Sequence, residues 1–248
     1  LAKIKNENEL TQHKNNAINK LSSYIDKLIQ SDDEKENGKA DKLSYWIEDY
    51  TKFLEFESKF SPKSYQKYKR GQIINVHLGY NIGSEEGGLH YAIVIEKNNS
   101  VNSPVLNIVP LTSLKPHKNP NDIRADRGEI FLGNELYRLL DAKISTLLKS
   151  IKSKLAEISN INDNSQNPYI DKETIYNLTR DIRLLEKSKK EISKMKKGSI
   201  ALVGQITTIS KIRIYDPKTS NDVLSKIRMS NETLNVIDEA IIKLYTNS

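Results

Sequence analysis

Apolar residues follow two different periods along the chain, and the change from one to the other marks its elements. Over residues 7–30, Ala17, Leu21, Tyr24, Ile25 and Leu28 recur at helical spacings, which predicts an amphipathic helix. Residues 31–38, SDDEKENG, read as a charged connector ended by glycine. A second helix is expected over 39–57, with Leu43, Trp46, Ile47, Tyr50, Phe53 and Leu54 on one side. The short link predicts an antiparallel pair. Ser61-Pro62 breaks the pattern. The period then shortens to two. Residues 72–78 alternate, with Ile74, Val76 and Leu78 on one face and Ile73, Asn75 and His77 on the other. Residues 91–95 form a short β-branched run suited to a buried strand. Between them NIGSEEGG, residues 81–88, has the glycines of a shaped loop. A third strand is expected to end at Thr112, then a basic, proline-containing loop over 113–121, then strand pattern around Ile130, Phe131 and Leu132.

The helical period returns over 134–160. Leu136, Leu140, Ile144, Leu147, Ile151, Leu155 and Ile158 keep a seven-residue rhythm on one face. Residues 161–168 read as a turn, and Ile175, Leu178, Ile182, Leu185 and Ile192 repeat the rhythm over 172–196. Two such helices predict an antiparallel hairpin. Strand pattern restarts at Gly198, so the hairpin is read as an insertion that protrudes from the β core. A last helix over 230–245 is expected to be capped by Ser230 or Asn231, with Leu234, Ile237, Ile241 and Leu244 turned inward. The reading is an N-terminal helical pair (1–61), a β core in two pieces (62–133 and 197–248) and an inserted hairpin (134–196). The two pairs either dock together, Trp46 and Tyr50 against Leu147 and Ile151, or bury their stripes across a dimer.

Composition narrows the chemistry. The formal net charge of +7 suits a polyanion such as RNA, DNA or an acidic protein segment, and equally suits a lysine-rich proteome. With no cysteine there is no disulfide, thiol nucleophile or zinc-finger spacing, and four histidines without close spacing in the sequence argue against a histidine-rich metal site. No apolar run approaches the roughly 20 residues of a membrane span. Residues 1–10 are polar and unlike a signal peptide, so a cytoplasmic location is expected; the absence of an initiator Met leaves a removed leader open.

The segment over 70–95, strand, then G-S-E-x-G-G-x-His, then A-I-V-I, resembles the start of the MazF/PemK/Kid toxins. VLNIVPLTS (105–113) is similar to that family's strand ending in threonine. KGSIALVGQITTISKIRI (197–214) is similar to its later hydrophobic strand with Q-x-x-T-I. The resemblance implies an α+β chain built on an SH3-like barrel, here with helical additions. It implies a toxin of a toxin–antitoxin system that cleaves single-stranded RNA without metal or cofactor. In that chemistry the ribose 2′-hydroxyl attacks the adjacent phosphate, giving a cyclic phosphate and a 5′-hydroxyl. A cognate antitoxin and a homodimer are the implied partners.

The resemblance also implies a site. Where much of the family has an arginine after G-G-x, this chain has His90, and Thr112 stands at the strand-ending threonine. Arginine stabilises a phosphate but is a poor base, whereas histidine accepts or donates a proton near neutral pH. His90 and Thr112 are therefore the expected catalytic pair, lining one pocket beside the 81–88 loop. Ser84, Glu85, Arg70, Ser113, Lys115 and Gln205 are expected substrate contacts. Leu202 and Gly204 stand where the Kid branch has an arginine and an aspartate, and Thr207 replaces an arginine after the glutamine. These departures also fit a binding or regulatory protein with a decayed nuclease site. A gyrase-directed toxin of the CcdB type shares the fold but acts through a tryptophan near its C-terminus; here the only tryptophan is Trp46.

Overall fold

In the computed structural model, which describes residues 6–164, 170–196 and 198–247, the alternation of the strands divides two hydrophobic cores. In β1 (Ile73–His77), Ile73 belongs to one cluster, and Ile74 and Val76 belong to the other. In β2 (Leu89–Val94), Ile93 goes with the first and Ala92 and Val94 with the second. In β3 (Val105–Ser113), Val109 and Leu111 go with the first and Leu106 and Ile108 with the second. Successive side chains point to opposite faces, so every one of these strands is apolar on both. β4 (Glu129–Gly133), β5 (Ser199–Leu202), β6 (Thr207–Ser210) and β7 (Ile214–Asp216) complete the sheet.

All pairings are antiparallel, in the order β4-β5-β3-β2-β1-β7, with β6 paired to β3. Helices and antiparallel sheet make the expected α+β fold, with the qualification that the barrel is not closed: β4 and β7 end the path without pairing to each other. β3 shows why. It pairs with β2 only from Ile108 to Pro110, then with β5 from Leu111 to Ser113. Pro110 has no N–H to carry the first ladder further. Past that residue β3 leaves β2, and a gap opens between them.

The chain divides into two compact units. The first comprises the chain up to Lys59 together with Gly79–Gly88. Its helices α1 (Glu7–Ile29) and α2 (Glu34–Glu57) are capped by the side chains of Asn6 and Asp33. Asp33 starts α2 five residues before the expected position, so most of the presumed connector is helix and Gly38 lies inside it. Leu28, Ala40 and Leu43 are buried, whereas Tyr24, Tyr50 and Leu54 of the expected stripes are about half exposed. Trp46 packs its ring 5.6 Å from that of Tyr50 and 6.2 Å from that of Phe53. The 79–88 segment closes on itself: Gly88 donates to the Gly79 carbonyl at 2.7 Å, and Asn81 to the Glu86 carbonyl at 2.7 Å.

The second unit comprises Phe60–Leu78 and the chain from Leu89 onward. Between β4 and β5 it carries the hairpin of α3 (Glu135–Asn164) and α4 (Lys172–Lys194). Helix α3 runs to Asn164, so the first part of the expected turn is helical; residues 165–168 of it lie outside the described residues. The hairpin does not stand clear of a finished core. Leu136, Leu140, Ile144, Ile151 and Leu185 bury into the same cluster as Ile73, Ile93, Val109 and Leu111. Its base is tied by Gly198 N–H donating to Asn134 Oδ1 at 2.8 Å. Lys143 reaches from α3 to donate to the carbonyls of Asp222, Val223 and Ser225 at 3.1, 2.6 and 3.0 Å. Burial pushes that lysine's pKa down.

The seam of α4 differs from the expected stripe. Ile175 and Ile182 are exposed, while Asp181, Leu185 and Ser188 are buried. Asp181 can sit there because Lys154 of α3 meets its carboxylate at 2.5 Å. The C-terminal helix α5 (Asn231–Tyr245) is capped by Ser230, whose hydroxyl accepts from Thr233 N–H. Leu234 and Ile237 are buried and Ile241 packs against the same core, but Leu244 is 38% exposed. Glu135, at the start of α3, accepts from Ser230 N–H at 2.6 Å and from the Thr233 hydroxyl, which locks hairpin and terminal helix together.

Candidate active site

The gap where β3 leaves β2 is a cavity of about 440 Å³ in the second unit. His90 and Tyr91 line it from β2, and Leu111, Thr112 and Ser113 line it from β3. Both sets belong to strand ends that no ladder joins to each other, since β2–β3 pairing stops at Ala92 opposite Pro110. His90 Nδ1 spans the gap and donates to the Leu111 carbonyl at 3.0 Å. A carbonyl only accepts, so this bond places the neutral ring's proton on Nδ1 and its lone pair on Nε2. Thr112 is held on its other side by β5, opposite Ile200. Asn75 of β1 also lines the cavity, and its Oδ1 is a buried acceptor with no hydrogen-bond partner among the described residues. A ligand donor would satisfy it.

Of the expected site residues, the structure brings His90, Thr112, Ser113 and Lys115 to this one cavity. Arg70 and Gln205 are not among its lining residues. Arg70 is occupied elsewhere, donating to the Ile95 carbonyl and pairing with Asp238 of α5, and so works as a structural clamp. Gln205 ends the short 3-10 turn Val203–Gln205 after β5. Ser84 and Glu85 belong to the first unit, where Glu85 Oε2 accepts from Ile82 N–H at 3.4 Å. That bond shapes their own loop.

Sequence reasoning missed a whole wall. Glu191, Lys194, Met195 and Lys196, from the end of α4 and just beyond, line the cavity with Tyr137 of α3. The Tyr91 hydroxyl donates to Glu191 Oε1, across 100 residues of sequence. Burial first, and then this bond to a carboxylate, push the Tyr91 phenol well above the usual tyrosine range, so it stays a donor. The run of lysines over 187–197 was visible as charge; nothing in it said which residues face a cavity. The result is a cavity holding one imidazole, two hydroxyls from β3, one carboxylate and three lysines. Among the described residues no cluster of three or more histidine, cysteine, aspartate or glutamate side chains is placed to hold a metal ion. No helix there is long and apolar enough to cross a membrane.

No curated protein matches the chain. A family model does match, over residues 69–160, which takes in β1 to β4 and most of α3, and hence the His90 and Thr112 strands. That model describes PemK-like, MazF-like toxins of type II toxin–antitoxin systems, and over those residues the chain is similar to them.

Proposed function

We propose that this protein is an endoribonuclease toxin that cleaves single-stranded RNA without metal, by attack of a ribose 2′-hydroxyl on the adjacent phosphate. The observation that carries the reading is the convergence of His90, Thr112, Ser113 and Lys115 on one cavity, inside the stretch that matches the toxin family. His90 supplies proton transfer at Nε2, since Nδ1 is engaged by the Leu111 carbonyl. Thr112 and Ser113 donate to the phosphate oxygens, and Lys115 offsets the charge that grows as phosphorus becomes five-coordinate. The partners that go with this reading are single-stranded RNA, a cognate antitoxin protein and a second copy of the chain.

Incubation of the protein with labelled mixed-sequence RNA in EDTA tests it. Wild type should yield fragments with cyclic phosphate and 5′-hydroxyl ends. His90→Ala should lose about 10²–10⁴ in rate, the usual contribution of a general acid or base. Thr112→Val removes one donor and should lose less. His90→Arg should keep RNA binding while changing the pH profile. If wild type binds RNA and never cleaves it, the site is a decayed one on a binding protein.

A further inference from the structure

We propose that Glu191, brought to the cavity by the inserted hairpin, is the general base of RNA cleavage, and that His90 is the general acid. The inference rests on the endoribonuclease reading above and completes it with a residue outside the 69–160 match.

The first argument is electrostatic. Glu191 is a carboxylate among His90, Lys115, Lys194 and Lys196, in a cavity suited to a phosphodiester. An anion placed there weakens phosphate binding, so complementarity to the phosphate gives no reason for it. Proton abstraction beside the phosphate does. The second argument is positional. Glu191 Oε1 accepts from Tyr91, and this is its only side-chain hydrogen bond among the described residues, so Oε2 keeps its lone pairs for a substrate hydroxyl. The third is geometric. His90 and Tyr91 are consecutive on β2, so their side chains leave opposite faces of the strand. Tyr91 holds Glu191 on its side, and His90 bridges toward Leu111 on the other. In-line displacement at phosphorus needs base and acid on opposite sides of the phosphate, and that is the placement the proposal gives Glu191 and His90.

In the resulting step the 2′-hydroxyl gives its proton to Glu191 Oε2 as its oxygen bonds to phosphorus. The bond from phosphorus to the 5′-oxygen breaks, and that oxygen takes the proton from Nε2 of the protonated His90. The products are a 2′,3′-cyclic phosphate and a 5′-hydroxyl; no water is consumed. Glu191 ends protonated and His90 neutral, and exchange with solvent resets both. Lys115, Lys194, Lys196, Tyr91 and Tyr137 are the other titratable side chains that line the site. Catalysis by one general base and one general acid gives the rate an acidic and a basic limb.

The test compares full-length wild type, Glu191→Gln and Tyr91→Phe on labelled RNA across pH. Binding is read separately with a 2′-deoxy RNA of the same sequence, and folding by thermal melting. Gln keeps an acceptor for the Tyr91 hydroxyl. The expected result is a loss of about 10²–10⁴ in rate for Glu191→Gln. The acidic limb of its profile should vanish, and the 2′-deoxy RNA should bind as tightly as to wild type or more tightly. Tyr91→Phe should lose less and keep both limbs. Three results overturn the assignment while leaving the nuclease reading intact: an unchanged rate, a reduced rate with the acidic limb preserved, or an unchanged rate at shifted cleavage sites. The last would make Glu191 a reader of base N–H groups. Absence of cleavage by wild type overturns the nuclease reading itself.

Discussion

The chain carries two helical pairs of similar length, and they relate differently to their own surroundings. The first, α1 and α2, buries three residues, Leu28, Ala40 and Leu43, and leaves Leu10, Ile18, Tyr24, Tyr45, Tyr50 and Leu54 about half exposed or more. The second, α3 and α4, shares one core with the sheet and supplies a wall of the cavity. The difference follows from connection. The hairpin leaves from β4 and returns to β5, which are paired neighbours, so both its roots are fixed at the sheet. Its apolar side chains then close on the sheet at little further entropic cost. A helical segment becomes part of a site when the strands on either side of it are themselves joined.

The largest expected effect separates the two pairs by stability. Leu140→Ala removes a fully buried side chain from the core that hairpin and sheet share, and should cost about 2–5 kcal/mol. Leu43→Ala, in α2, should cost less and leave the main calorimetric transition in place. An equal shift of that transition by both variants would break the comparison. Lys143→Met should come next. It leaves three carbonyls without their ammonium donor and should cost about 1–3 kcal/mol in urea unfolding. No measurable cost would mean that this tie does not hold α3 to the 222–225 segment.

The smallest stability effect belongs to the seam. Burial raises the pKa of Asp181, but the hydrogen bond and charge of Lys154, with Arg180, outweigh it and hold the carboxyl below its usual range. A folded-state pKa below the unfolded value means stability that is present above the unfolded pKa and lost as pH falls through the folded one. Asp181→Asn should therefore cost about 1 kcal/mol near neutral pH, with the gap to wild type closing in acid. A gap that widens in acid would contradict the sign.

These same residues show what the sequence makes legible. β1 and β2 were readable from an alternating stretch, with Ile74, Val76 and Leu78 on one face, and from a β-branched run, with glycines between them. Ser230 marked the start of α5 by a side chain that caps it. The hairpin seam was misread because Asp181 and Ser188 sit at buried positions, and only the position of Lys154 explains the aspartate. The opening of the sheet depends on which strand β3 follows after Pro110, a choice made by packing. At the site, His90 and Thr112 were found through resemblance, on two strands close in sequence, and Lys115 just past the second strand was found through its charge. Glu191 arrives from 100 residues beyond Tyr91 through helix packing, and no local pattern announces it.

The central claim is that the end of the inserted hairpin forms a wall of the proposed RNA site. Matched charge reversals in the full chain test it most directly. Lys194→Glu with Lys196→Glu alters the cavity wall; Lys20→Glu with Lys27→Glu makes the same change in net charge on exposed positions of α1. The measurement is the rate of RNA cleavage at several salt concentrations. The account predicts a loss of at least about tenfold for the first pair, and a shallower salt dependence as phosphate contacts are removed. It predicts a change within about twofold for the second. Equal losses would contradict it, because they would make the lysines a general attraction for polyanions and not the wall of a site.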